Sequence, residues 1–169
     1  MEVRIRPAQR SDLDAITDIY NEAILTTTAT FDTEPKTTEQ QQTWFEEHGT
    51  QYPLLVAEVD GSVVGWTCLS KWSDRRAYRE TAESSTYVKQ QYRGRGIGRQ
   101  LKTAIESETR RLGFHTVLAR VTEGSEASLH LNEQFGFVHI GVMREVGTKF
   151  GRRLDVHLLQ KIYDTDSPA

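Results

Sequence analysis

The segment Gln91-Tyr92-Arg93-Gly94-Arg95-Gly96-Ile97-Gly98-Arg99 constrains this chain more than any other stretch. Before it, Thr81 to Val88 is rich in Thr, Ser, Tyr and Val and reads as a strand. After it, Ile97, Leu101, Ala104, Ile105 and Leu112 recur on one helical face that ends near Gly113. Glycines in a strand-to-helix turn take up positive φ and let a ligand come close to the backbone. Amide N–H groups at a helix start lack intrahelical acceptors, and the helix dipole favours an anion beside them. Arg93, Arg95 and Arg99 add positive charge. The turn therefore reads as a pyrophosphate cradle. Its glycine spacing is not the Gly-x-Gly-x-x-Gly of dinucleotide folds, and the chain has no Gly-Lys-Ser or Gly-Lys-Thr of a Walker-type NTPase.

Around this turn the chain alternates short strands and helices. Val3 to Arg6 alternates apolar and basic residues and stops at Pro7, as a first strand would. Ser11 with Asp14 resembles a capping box, and Leu13, Ile16, Ile19, Tyr20, Ala23 and Ile24 form one apolar stripe behind it. A second helix is expected from Thr37 or Thr38, carrying Trp44 and Phe45. Leu54 to Val59 and Val63 to Leu69 read as a hairpin through Asp60-Gly61, followed by a polar loop from Lys71 to Arg79. Val117 to Val121 is expected as a strand, Ser125 to Phe135 as a helix, and Val138 to Val146 and Leu154 to Ile162 as the last two strands. The pattern predicts an α+β (mixed α/β) fold.

Composition excludes several classes. At 169 residues the chain suits one domain spanning 1–169, with no linker. A net charge of -3 argues against a general nucleic-acid binder. The lone Cys68 forms no internal disulfide, no long uncharged run suits a membrane span, and Met1 leads into Glu2-Val3-Arg4 rather than a signal-like apolar segment. A cytoplasmic protein is expected. No His or Cys cluster suggests a metal, and the five histidines read as surface or core residues.

The glycine turn resembles the acetyl-CoA loop of the GNAT N-acetyltransferase superfamily, Gln/Arg-x-x-Gly-x-Gly/Ala. Gln91-Tyr92-Arg93-Gly94-Arg95-Gly96 satisfies it, and Arg93 to Gly98 satisfies it a second time. The likeness covers nearly the whole chain, from Arg4-Ile5-Arg6-Pro7-Ala8 to Glu133-Gln134-Phe135-Gly136-Phe137. Phe31-Asp32-Thr33-Glu34-Pro35, Ala77 to Val88 and Val146-Gly147-Thr148-Lys149-Phe150-Gly151 look like the phosphinothricin and methionine sulfoximine acetyltransferase branch. The resemblance implies a mostly antiparallel, partly splayed sheet flanked by helices, acetyl-CoA as co-substrate, a small amino-acid-like amine as acceptor, and a homodimer.

It also assigns roles. N-acetylation needs a neutral amine, and an α-amino group with a pKa of about 8 is largely protonated at neutral pH. A carboxylate acting directly or through water removes that proton. Glu83, sharing a strand face with Ser85 and Tyr87, is the candidate base. By resemblance, β-bulging near Val88 frees its amide for the oxyanion. The residues implied to hold acetyl-CoA are Val88, Lys89, Gln90, Arg93, Gly94, Arg95, Gly96, Ile97, Gly98, Arg99, Gln100, Ser125 and Asn132. Asn132 stands where many relatives carry Tyr or His and is no useful acid. His130, two residues away on the helix, is expected to point elsewhere. For the acceptor, Phe31, Ser85, Thr86 and Tyr87 are expected at the pocket, with Trp72 as a further wall. Arg75 and Arg76, with Arg79, form either a carboxylate fork or a solvated loop. Lys149, Arg152 and Arg153 read as a basic hairpin tip facing a dimer partner or the substrate. Two other functions fit the cradle: a protein or peptide N-acetyltransferase, and a non-catalytic acyl-CoA sensor.

Overall fold

A computed structural model of the chain describes residues 1–164; the last five residues of the expected 1–169 span lie outside the described residues. Chain order is β1 (Val3–Pro7), α1 (Leu13–Thr26), α2 (Thr38–Glu46), β2 (Leu54–Val59), β3 (Ser62–Lys71), β4 (Thr81–Val88), α3 (Ile97–Leu112), β5 (Thr116–Thr122), α4 (Glu126–Gln134), β6 (Val138–Lys149) and β7 (Arg152–Ile162). The strands form one seven-stranded sheet in the order β1-β2-β3-β4-β5-β7-β6. Every pairing is antiparallel except β4 with β5. The mixed α/β, mostly antiparallel expectation is met.

The helices divide between the two faces. On one, Ile16 and Ile19 of α1 pack with Trp44 and Phe45 of α2 onto Leu54, Val56, Trp66 and Cys68. On the other, Ile97 and Leu101 of α3 cover Ala57, Val59 and Val64, while Ile105 and residues of α4 cover Ala82, Val117 and Ala119. Fully burying one such side chain stabilises the fold by about 1.5–3 kcal/mol. Side chains alternate along β4: Ala82, Ser84, Thr86 and Val88 turn toward α3, and Glu83, Ser85 and Tyr87 toward α1 and α2. This alternation gives the two sides of the sheet different chemistry.

Three local expectations are corrected. The start of α1 is not capped by Ser11. A 3-10 turn, Arg10–Asp12, precedes the helix, and Asp12 accepts from the Gln9 N–H at 2.7 Å while Arg6 clamps it at 2.7 and 2.9 Å. That guanidinium holds the Asp12 carboxyl below the usual carboxylate range. β4 has no bulge against β3: the register runs unbroken from Lys71↔Ala82 to Gly65↔Val88. The last two strands are longer than expected because β6 bulges. Arg144, Glu145 and Val146 oppose Asp155 alone, with Glu145 at φ 48, and pairing resumes at Gly147↔Leu154.

Candidate active site

The β4–β5 ladder pairs Thr81, Ala82 and Glu83 with Thr116, Val117 and Leu118, and then ends. Beyond this point the strands diverge. A cavity of about 490 Å³ opens between Ser84–Val88 and Ala119–Thr122, roofed by Arg93, Gly94, the start of α3 from Gly96 to Arg99, and α4. The Lys89 N–H donates to Val64 O at 2.8 Å. Since backbone groups alternate along an antiparallel ladder, those of Ser84, Thr86 and Val88 face the opening instead. Val88 O already accepts from Arg93 Nε at 2.9 Å, which pins the glycine turn to the end of β4.

The turn has the backbone its glycines require. Gly94 lies at φ 73 and Gly96 at φ 80, the left-handed region that side-chain-bearing residues rarely enter. The first intrahelical bond of α3 runs from the Gln100 N–H to Gly96 O. The amides of Ile97, Gly98 and Arg99 therefore have no acceptor within the helix. A phosphate group fits these donors. The opposite wall also lacks a partner: Asn132 is buried, its amide donates to Ser128 O at 2.9 Å, and its Oδ1 has none. Oδ1 can take an N–H from a bound ligand. Ser125 sits at the N-cap of α4 without capping it, which leaves its hydroxyl free at the same wall. These residues fit a pyrophosphate followed by an amide-bearing arm, as in coenzyme A.

On the other side of β4, Glu83 lines a cavity of about 450 Å³ with Phe31, Tyr87, Met143 and Val146. Arg120, on the diverging strand β5, grips its carboxylate at 2.5 and 2.9 Å. The guanidinium packs 5.6 Å from the Trp72 ring, and the carboxylate raises the arginine's pKa further. Each carboxylate oxygen keeps a lone pair for water or an amine. The β6 bulge supplies Val146 to this wall, and Gly147 lies so close to Phe31 that a Cβ would stand 2.1 Å from its ring. A third cavity, about 280 Å³, continues behind Tyr87 and Ser85 toward α2. Ser84, Ser85 and Tyr87 border both the cofactor-side opening and the Glu83 cavity, so one strand separates the two.

The sequence-predicted residues divide as follows. Val88, Arg93, Gly94, Gly96, Ile97, Gly98, Arg99, Ser125 and Asn132 line the 490 Å³ cleft. Lys89, Gln90, Arg95 and Gln100 do not: the Gln90 N–H is taken by Glu22 at 2.9 Å, and Arg95 lies over Tyr92 at 5.6 Å. Phe31, Ser85 and Tyr87 meet Glu83. Thr86 does not, because its hydroxyl lies 2.8 Å from that of Thr67 on the α3 side. Arg75 and Arg76 are exposed at a 3-10 turn and border none of these cavities. His130, expected to point elsewhere, reaches the cleft rim beside Gln134 at 2.7 Å. Lys149 is not at an exposed tip: it is buried and donates to Thr30 O at 2.8 Å, and burial lowers its pKa. Among the described residues, no helix is long and apolar enough to cross a membrane.

Sequence reasoning missed Arg120 and Lys102. Lys102 lines the cleft from α3, only 3% exposed, donating to Ser84 Oγ at 3.2 Å and lying 4.0 Å from the Phe137 ring. Burial lowers its pKa from 10.5 to about 8, and the nearby Lys161 adds to this against the pull of Glu106. Between those values the unfolded chain holds a proton that the folded chain releases, so stability rises with pH across that window. Lys102→Met is therefore expected to stabilise the fold at pH 7 by up to about 3 kcal/mol. The gain should shrink as pH rises from about 8 and be nearly gone by about pH 10.5, where the folded-state lysine is neutral and the unfolded-state one is half deprotonated. Urea unfolding at the two pH values measures it; a gain unchanged with pH would show that packing, not charge, is responsible.

Residues 5–158 match the family described as acetyltransferase (GNAT) domain. The chain is 38% identical over 157 residues to the L-amino acid N-acyltransferase MnaT of Escherichia coli, covering 92% of this chain and 91% of that protein. It is 38% identical over 171 residues to the L-methionine sulfoximine/L-methionine sulfone acetyltransferase of Pseudomonas aeruginosa, covering 100% and 99%. The crystal structure of a phosphinothricin acetyltransferase from Sinorhizobium meliloti in complex with acetyl-CoA superposes with a TM-score of 0.92 at 33% identity, over 96% of this chain and 89% of that one.

Proposed function

We propose, for a chain that belongs to the GNAT acetyltransferase family, that it moves the acetyl group of acetyl-CoA to the amine of a small amino-acid-like acceptor by direct attack in a ternary complex. The single observation that carries this reading is the pair of cavities divided by β4, a phosphate-binding turn on one side and a carboxylate on the other. The methionine sulfoximine and phosphinothricin preferences belong to its relatives; an acceptor of that kind is the proposed substrate here. A single domain spans the chain in this reading, and the protein is cytoplasmic.

In this mechanism the amides at the start of α3 hold the pyrophosphate and Asn132 Oδ1 accepts from the arm of coenzyme A. Glu83, oriented by Arg120, takes the proton of the acceptor ammonium directly or through one water. The neutral amine then attacks the thioester carbon, and the Val88 N–H, turned toward the opening, donates to the developing oxyanion. Collapse breaks the C–S bond; the nitrogen of the adduct gives up its second proton and the departing thiolate gains one, so the thiol and the amide product are released. Alignment of amine and thioester across one strand supplies much of the rate.

Initial rates measured over a grid of acetyl-CoA and acceptor concentrations test this directly. Intersecting double-reciprocal lines are expected; parallel lines would indicate an acetyl-enzyme and overturn direct attack. A peptide N-terminus that competes more strongly than a free amino acid would move the reading to protein acetylation.

A homodimer is part of the same proposal. β6 is an edge strand that exposes Val138 at 61%, Ile140 at 49% and Val142 at 37%, an apolar edge that a second copy would cover. Sedimentation is expected to give twice the chain mass of 19.3 kDa. A single-chain mass at micromolar concentration would contradict it.

A further inference from the structure

We infer that Arg120 is the residue that binds the acceptor's α-carboxylate, holding Glu83 with one edge of its guanidinium and the acceptor with the other. This role rests on the amino-acid-like acceptor proposed above, and it separates such an acid from a plain amine.

Leu118 is the last β5 residue paired with β4, and its partner is Glu83. Arg120, two positions on, leaves β5 on the same face and reaches back to that carboxylate. The grip is side-on. Nε donates to Oε2 at 2.5 Å and Nη2 donates to Oε1 at 2.9 Å. A guanidinium carries five N–H donors, so both of Nη1 and one of Nη2 remain. Arg120 donates no other hydrogen bond among the described residues. One N–H from each Nη makes a second fork in the plane of the first, matched to another carboxylate.

That second fork is both held and open. Glu83 fixes one edge of the guanidinium, and the Trp72 ring covers its face at 5.6 Å. The side chain is still 52% accessible, and Arg120 lines the 450 Å³ cavity beside Glu83. Among the described residues that line this cavity, it is the one cation. Nearby charges are already matched. Asp32 accepts from Tyr20 and pairs with Lys36 at 3.2 Å, while Lys149 donates to Thr30 O at 2.8 Å. A carboxylate entering the cavity therefore meets Arg120 as its counter-ion.

The two side chains together complement an α-amino acid. Its ammonium and carboxylate hang from one carbon, as Glu83 and Arg120 stand side by side. Docking the carboxylate on the outer fork sets the ammonium against Glu83, whose oxygens keep lone pairs for its proton. Glu83 need not be released, because the two carboxylates use different N–H groups. A plain amine has nothing to place on the fork. A peptide N-terminus carries an amide at that carbon and lacks the charge.

The test compares kcat and KM for methionine sulfone, its carboxamide and the decarboxylated amine, which share one tail and differ only at the α-carboxylate. The wild type is expected to favour the acid over both by about tenfold to a hundredfold in kcat/KM. The carboxamide's ammonium is the more acidic, so a slower carboxamide reports recognition and not proton supply. Arg120→Leu should raise KM for the acid and bring the acid-to-carboxamide ratio to about one. Any loss of Glu83 orientation lowers kcat for all three acceptors and cancels in that ratio. Arg120→Lys keeps the charge without the fork and should give an intermediate ratio. A wild-type ratio near one overturns the carboxylate site and leaves the acetyltransferase reading standing. A ratio unchanged in Arg120→Leu, with all three acceptors slowed alike, confines Arg120 to positioning Glu83 and also overturns it. Turnover of no free amino acid overturns both this role and the proposed acceptor.

Discussion

Glu83→Gln is expected to lower kcat by about a hundredfold to a thousandfold, the usual contribution of a positioned general base. Acetyl-CoA affinity should stay within about twofold, because the carboxylate faces the cavity across β4 from the phosphate turn. The substitution keeps size and removes the base. It also sets the glutamine N–H₂ against the Arg120 donors, which held the carboxylate at 2.5 and 2.9 Å. Arg120 is about half exposed, with a side-chain accessibility of 52%, so it can turn to water at little cost to the fold. Equal losses of turnover and acetyl-CoA affinity would give Glu83 a structural role in the sheet. Unchanged turnover would remove it from the chemistry.

Gly96→Val should weaken acetyl-CoA binding by more than tenfold. A Cβ at Gly96 would meet no atom within 4 Å, so crowding inside the protein is not the cause. Its φ of 80 is the cause, since a β-branched residue does not settle there and the turn must move. Moving it displaces the amides of Ile97, Gly98 and Arg99 from their shared target. The rest of the fold should hold, because Gly96 lies outside the three apolar clusters. Isothermal titration with acetyl-CoA and with coenzyme A measures the loss. Unchanged affinity for both would take the glycine turn out of the binding site.

Much of the fold was legible because the signals were local. The Asp60-Gly61 hairpin, the Thr37 cap of α2, the β4 boundaries and the Gly96-to-Gly113 span of α3 each depend on residues a few positions apart. The phosphate turn was legible for the same reason. What escaped is long-range. Arg120 meets Glu83 across 37 positions, and Lys149 reaches Thr30 across 119. Nothing in the spacing of either pair marks the contact. Arg75 and Arg76 suit a carboxylate by type and are exposed on their loop in the single chain, while the guanidinium that meets Glu83 comes from β5. Ser11 was displaced as a cap because Arg6 orients Asp12 from the neighbouring strand. Lys102 fell on the apolar face of α3, where its position but not its charge fits the stripe. That signal could have been read earlier: a cation inside an apolar helical face is unusual and points to a polar cavity or a buried partner.

Thiol release from acetyl-CoA tests the central claim most directly, with methionine sulfoximine, phosphinothricin, ordinary amino acids, polyamines and a peptide N-terminus offered as acceptors. Release with the sulfoximine or phosphinothricin, and little with the peptide or polyamines, is the predicted result. Silence across every acceptor while acetyl-CoA still binds would contradict the claim and describe an acyl-CoA sensor instead.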